Sequence, residues 1–484
     1  VSRRTEYTVV GVLAAVAVVL WALIPTYPNY DAYYHLVWGR EVIHGITPSF
    51  QAYAAPTEHP LYVAICGVLA AIFGEDADRA LVLFTILSFL ALVWAVLRLG
   101  RACFGLWPGV AGAVFVGTSF ALLLYAAKAY VDVPFLAVVL WAAVVEAERP
   151  ARRGSAPDGS TGRLAMSLLA VAGLLRPEAW VLAGLYWLWC GWRRWDLLLL
   201  VLVGPVGWGI VDASVTGDAL FSLHSTSALA DQLGRERGIV HVPGSFVSFL
   251  SSTARPPIAL AGVVGMVLAV RGVGSARGRR LHVPFALFGA GALTFVGTGI
   301  AGLAILPRYL TVPVIALCLF AGFAALGFTQ LAPNARGRRT WMRVFGVGVV
   351  LGLAFVVVKV SVVDRLVTEL RYIRSTHDSL AQLLHDPAVT RDRACGPITF
   401  PNYRLVPDTR WMLDLPGDEV GARSDRRHPY GVAIFTVGDK TLHRYGYADG
   451  ASRTTVVPDP GFTPIARSTQ FRAYASCAAP HPTR

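Results

Sequence analysis

Leu61–Phe73, LYVAICGVLAAIF, is an unbroken apolar run that stops at Gly74-Glu75-Asp76-Ala77-Asp78. Crossing the hydrocarbon of a bilayer takes about twenty helical residues, and shorter runs are more often re-entrant or interfacial. Read as a full crossing, this run would throw the arginine-rich loops that follow onto alternating faces. Read as non-spanning, it gathers every multi-arginine loop of the apolar part on one face, as cytoplasmic loops are. The second reading is adopted, and it sets everything downstream.

The chain of 484 residues is 55% hydrophobic and 15% charged, with a mean hydropathy of +0.54. A soluble domain carries about a quarter charged residues, so this is a polytopic membrane protein. Its net charge of +13 is no nucleic-acid signal, because most Lys and Arg of the apolar part sit in short loops and set orientation. Arg3-Arg4 before Thr8–Ile24 resembles a signal peptide, but the run is long and no A-x-A site follows; an uncleaved anchor is expected.

Eleven spans follow: Tyr7–Ile24, Ala80–Leu97, Trp107–Tyr125, Val133–Val145, Leu164–Leu175, Ala179–Trp192, Leu197–Val211, Pro256–Val270, Val283–Gly299, Tyr309–Phe328 and Val344–Val363. Arg98, Arg101, Arg149, Arg152, Arg153, Arg163, Arg193, Arg194, Arg271, Arg277, Arg279, Arg280, Arg336, Arg338, Arg339 and Arg343 then lie inside with the amino terminus. A long outer loop is expected over Asp212–Arg255. The tail, 364–484, is different material: an amphipathic helix near Val367–Leu384, then short runs such as Gly431–Val437 and Gln470–Ser476 that read as strands. About 120 residues suffice for a separate domain. The expected architecture is an α-helical polytopic membrane domain, 1–363, with a small extracytoplasmic α/β domain, 364–484. Only Cys395 and Cys477 fall in the tail; in an oxidising exterior they pair, otherwise they are two free thiols. No Cys/His metal spacing occurs.

Polar groups on the outer face define the candidate site. Asn29–Gly45, NYDAYYHLVWGREVIHG, follows the first span and carries Asp31, Tyr34, His35, Arg40, Glu41 and His44 in an aromatic-rich helical pattern suited to an interface. Asp31 either caps that helix or serves as a general base. Glu58 and His59 (TEHPLY), Lys128 and Asp132 (KAYVDVPF), Arg176 and Glu178 (LRPEAW), His224, His241 and Arg308 (ILPRYL) join it. Ionisable residues at membrane boundaries are costly and mark function by default. The bland readings are a local Arg176–Glu178 pair, a snorkelling Lys128 and an anchoring Arg308. Taken together, cations hold an anionic phosphate and a carboxylate takes a hydroxyl proton. Away from cytosolic nucleotides, the donor has to be lipid-linked.

These motifs, in this order, resemble the GT-C superfamily of polyprenyl-phosphate-sugar-dependent glycosyltransferases, which includes protein O-mannosyltransferases, aminoarabinose transferases and actinobacterial mannosyl- and arabinosyltransferases. Asp31 matches the acid after the first span, and Ala32–Gly45 the interfacial helices. His59-Pro60-Leu61 matches an HPPL-type stretch with one proline missing, and Ala32 follows Asp31 where a second acid is common. Asp132, Arg176 and Arg308-Tyr309 match later polar positions. The resemblance implies inverting transfer on the outer face of the plasma membrane, with Asp31 as base and Arg308, Arg176 and Lys128 on the donor phosphate. It implies Glu58, His59, Asp132, Tyr34, His35 and Tyr309 on sugar or acceptor. Partners are then a polyprenyl-phosphate sugar, membrane lipids and a glycan, glycolipid or protein acceptor. No ligand has helical spacing to His59, so no metal is expected to be obligatory, a divalent ion being left open. The Lys-poor, Ala/Val/Arg/Gly-rich composition points to a high-GC bacterium and to mannose or arabinose. The rivals are a flippase, which would show inverted repeats, and a non-catalytic scaffold.

Overall fold

The computed structural model describes residues 3–149, 159–272, 280–335, 337–358, 361–446 and 457–477. Arg152, Arg153, Arg277, Arg279 and Arg336 lie outside them. The chain begins with α1 (Arg3–Leu23), α2 (Tyr30–Ile43), α3 (Pro60–Phe73) and α4 (Ala77–Phe104). The next helices are α5 (Leu106–Gly117), α6 (Phe120–Ala127), α7 (Asp132–Glu148), α8 (Gly159–Leu175), α9 (Glu178–Cys190) and α10 (Trp195–Thr216). α11 (Phe221–Gln232), α12 (Val242–Ala254), α13 (Pro256–Val270), α14 (His282–Ile300), α15 (Thr311–Leu326) and α16 (Arg338–Val358) complete the apolar part.

α1 and α4 are antiparallel. Glu6 meets Arg101 at one end, 2.7 Å, and at the other Trp21 donates to the Arg79 carbonyl. α2 and α3 both lie at that second end. Asn29, ahead of α2, bonds Lys128, Tyr62 at the start of α3 bonds the Ala129 carbonyl, and α3 finishes at the turn that opens α4. The apolar run Leu61–Phe73 therefore starts and ends at one end of the bundle. The two helices cross in backbone contact: a Cβ at Gly39 would stand 2.4 Å from the Gly67 nitrogen, so only glycine fits.

Among the described residues five helices are long and apolar enough to cross a membrane, or seven if two bent pairs each count as one; α3, its turn and α4 enter that count as a single helix. Of the remaining expected crossings, Val344–Val363 falls largely on α16 with 21 residues, and the others rest on shorter helices, such as α9 with 13 residues. The expected span Trp107–Tyr125 is broken by 59° between α5 and α6, and α12 turns into α13 by 106°. The second break has a local cause. Pro256 disfavours helical geometry at the residue before it, and Arg255 takes φ +69°. Its guanidinium then donates to the Phe115 and Thr118 carbonyls, 2.8 and 3.2 Å, groups that the end of α5 leaves without helical partners. The expected long loop Asp212–Arg255 is a correction: Asp212 lies within α10, and α11 and α12 take up most of the remainder. Their mixed polarity hid them.

The tail opens with α17 (Ser361–Leu384), followed by α18 (Pro387–Asp392), α19 (Val406–Leu413) and five strands. These are β1 (Ile398–Phe400), β2 (Val420–Ala422), β3 (Gly431–Thr436), β4 (Thr463–Arg467) and β5 (Phe471–Ser476), in spatial order β2-β1-β3-β5-β4. β1 runs parallel to β2 and β3, and β5 antiparallel to β3 and β4. Leu380, Leu383 and Leu384 of α17 bury against Ile398, Phe400, Val432, Ile434 and Phe471. Cys395 and Cys477 are bonded across 82 residues. A loop of that size contributes about 4.5 kcal/mol in the chain-entropy account. Cys395→Ser combined with Cys477→Ser is expected to lower the unfolding temperature of the tail, read by calorimetry; an unchanged transition would contradict this.

Candidate active site

The cap of α2 is Asn29, and Asp31 is not involved: Asn29 Oδ1 accepts from the Asp31 and Ala32 amides, 2.8 and 3.3 Å. The Asp31 carboxylate is thereby left to face outward from the first turn. There it meets Arg308, whose Nη1 donates to Asp31 Oδ2 at 3.0 Å across 277 residues of chain. Arg308 is presented by the short 3-10 turn Pro307–Leu310 ahead of α15, where Pro307 fixes the first turn.

The pair lines a cavity of about 360 Å³ walled by Tyr30, Tyr125, Tyr130, Tyr309, Tyr403, Arg235 and Arg404, with Thr57 and Thr226 at one side. Tyr125 and Tyr130 stack with centroids 4.7 Å apart. Tyrosine faces and guanidinium groups suit a sugar ring and an anion. Tyr403 and Arg404 come from the tail, so the cavity belongs to both parts of the chain.

The other expected site residues fall around this cavity in different shells of the fold. Arg176 is buried behind Tyr309, its charge centre 5.4 Å from the ring, while Arg308 approaches the same ring at 5.9 Å. Both Asp132 and Glu178 accept from Arg176, so its fork is occupied by two carboxylates. Tyr34 is buried between Tyr30 and Trp38. His35 sits beneath Asp31 and bonds its carbonyl through Nδ1, 2.5 Å. Because a carbonyl can only accept, Nδ1 carries the hydrogen, and burial pushes this imidazole down to about 4. His59 stacks on it at 5.2 Å and is likewise held neutral by burial. None of Arg176, Tyr34, His35 or His59 forms the cavity wall. Lys128 turns toward the tail, into a small cleft with Asp408, His377 and Tyr445; burial pushes its ammonium down to about 8. Tyr309 alone joins Asp31 and Arg308 on the wall.

Glu58 lies just outside the cavity. Ser222 Oγ stands 2.7 Å from Glu58 Oε1 and 2.9 Å from Asp212 Oδ1. A hydroxyl has one hydrogen, so one of the two carboxyls must supply another. Asp212 already accepts from the Ser222 amide; Glu58, pushed up by burial and by Asp212, is the one that keeps a proton. A carboxyl raised in the fold contributes stability below its ordinary value near 4.5, and that stability is lost as pH rises through the raised value. Glu58→Gln is expected to flatten this decline: between about pH 5.5 and about pH 8.5 its melting temperature should fall less than that of the wild type. Equal slopes would remove the shared proton from the account.

Among the described residues no group of three or more His, Cys, Asp or Glu could hold a metal ion. Spacing gave no signal for Arg235, Tyr125, Tyr130 or the adjacent Tyr403 and Arg404, which come from distant parts of the chain and meet only in the fold.

No protein-family model matches the chain, and no curated protein does. Solved structures do. ArnT from Cupriavidus metallidurans bound to undecaprenyl phosphate matches with a TM-score of 0.58 at 14% identity, over 98% of this chain and 99% of that one. Its apo state matches at 0.57 and 15%, over 98% of each chain. The Archaeoglobus fulgidus oligosaccharyltransferase, tethered to an acceptor peptide containing the NVT sequon, matches at 0.50 and 11%, over 87% of this chain and 64% of that one. The chain shares the fold of ArnT.

Proposed function

We propose that the chain is an inverting glycosyltransferase that moves a sugar from a polyprenyl-phosphate donor to an acceptor hydroxyl on the outer face of the membrane. The observation that carries this is the Asp31–Arg308 pair at the wall of a tyrosine-lined cavity, within a fold shared with a protein solved with undecaprenyl phosphate bound. The cations inside and the bonded Cys395–Cys477 pair support an inward amino terminus, eleven crossings for 1–363 and an extracytoplasmic 364–484, since disulfides persist in oxidising compartments.

In the resting site Arg308 occupies the carboxylate. A donor phosphate competes for the guanidinium, because Arg binds phosphate oxygens by the same charge-assisted fork. Once Arg308 turns to the phosphate, Asp31 can accept the proton of an acceptor hydroxyl. The hydroxyl oxygen bonds to the anomeric carbon from the face opposite the phosphate. The bond from that carbon to the phosphate oxygen breaks, its electron pair leaves with polyprenyl phosphate, and Arg308 stabilises the added charge. Tyr125, Tyr130 and Tyr309 shape the sugar pocket. Mannose and arabinose are the sugars we favour, with a cell-envelope acceptor, on the composition of the chain. Radiolabelled polyprenyl-phosphate sugars offered to purified protein with cell-envelope acceptor fragments test this. Label moving to an acceptor with inverted configuration supports it. Transport of the intact donor across a vesicle without transfer would replace it with the flippase reading.

A further inference from the structure

The tail grips the far end of the helix that carries Asp31. Arg410 of α19 is almost fully buried, 1% exposed. Its Nη2 donates to Glu41 Oε1 of α2 at 2.7 Å and its Nη1 to Ser49 Oγ at 2.9 Å. Glu41 is held from behind by the Ser49 amide, 2.9 Å. The grip is returned: Arg40 of α2 donates to the Arg410 and Trp411 carbonyls at 2.8 and 3.0 Å. It also pairs with Asp414 at 3.0 Å and covers the Trp411 ring at 4.5 Å. Two adjacent residues of α2 thus point into α19, and α19 points back.

We infer that the tail is a positioning domain: the Arg410–Glu41 and Arg40–α19 contacts fix the register of α2 and so the place of Asp31 against Arg308. Desolvating an ion pair costs about as much as the pairing returns, so an apolar pair of the same volume is often no less stable. What the charged pair supplies is direction, because each donor accepts one partner at one angle, whereas an apolar contact slides. Glu41 stands ten residues after Asp31 on one rigid helix, about 15 Å along its axis. A shift at one end is carried to the other. The consequence for turnover rests on the reading of Asp31 as base; the mechanical claim does not.

The test uses the full chain in lipid nanodiscs, comparing wild type, Arg410→Met, and Arg410→Met combined with Glu41→Leu. The single variant leaves a buried carboxylate unpaired and serves as the control for lost stability; the double variant is expected to recover the melting temperature. Hydrogen exchange at the amides of 31–36 is expected to be about tenfold faster in the double variant, with exchange in α17 unchanged. Transfer should fall on the order of 10²-fold in kcat, with the donor KM held. Wild-type exchange in the double variant, and still in the same variant with Arg40→Met added, would overturn the inference whatever the activity. Faster exchange with wild-type kcat would overturn its link to Asp31. Faster exchange in a protein whose wild type transfers no sugar would uphold the positioning and reject the transferase reading.

Discussion

Asp31→Asn is expected to fold normally, bind donor and transfer sugar 10²–10⁴-fold more slowly, the range lost when a positioned base is removed. The substitution keeps the shape of the side chain and the Asn29 cap beneath it, so loss of structure does not explain the loss of rate. It also has an opposite effect on binding. Arg308 is tied to Asp31 in the resting site; with a neutral amide in place of the carboxylate, the guanidinium is released to the donor phosphate. Donor affinity should therefore rise while turnover collapses. Single-turnover transfer and equilibrium binding of labelled donor read the two separately. Full turnover in a folded Asp31→Asn protein would move the base elsewhere.

Arg308→Gln should lower both quantities. In the proposed mechanism the guanidinium supplies the phosphate contact before reaction and the balancing charge as the leaving group forms, and removal of one such donor costs about 10²–10³-fold in kcat. Weaker donor binding adds to that loss in kcat/KM. Arg308→Lys keeps the charge but not the fork, and should recover only part of it. The Arg176 variants behave differently under this arrangement. Arg176 is tied between Asp132 and Glu178 behind Tyr309, so its loss acts first on folding. If Arg176→Gln, folded, lost more donor affinity than Arg308→Gln, the assignment of the phosphate to Arg308 would be refuted.

That Asp31 and Arg308 share one polar face was legible because charge at a membrane boundary is scarce and marks function; that the two pair with each other was not. The same reasoning could not tell an arginine held between two carboxylates, Arg176, from one that meets a single carboxylate at a cavity wall, Arg308, so both read as holding the phosphate. Asp31 as a helix cap was a fair reading of spacing alone; Asn29, two residues earlier, does that work instead. Nothing in the sequence distinguished Arg410 from any arginine of a polar tail, since a buried guanidinium is recognised only by what surrounds it. Helices α11 and α12 escaped for the opposite reason: they are short and interleaved with Ser, Thr and His, although Val242, Phe246 and Phe249 of α12 do fall on one face and pack against Phe295.

The order in which the chain is made adds a further consequence. Asp31 leaves the ribosome early, whereas its ion partner is 277 residues behind and the arginine that grips its helix lies 369 residues beyond Glu41. At about 5–20 residues per second, the acid waits on the order of tens of seconds for Arg308. The carbonyl of Lys128, on which Asn29 hangs, comes sooner, so the first loop is moored in stages. During that interval the nascent loop is an uncompensated acid beside the bilayer, held near water by its own charge. Assembly of the site is thus completed from the carboxyl-terminal side, and a chain released early carries the acid without the means to aim it.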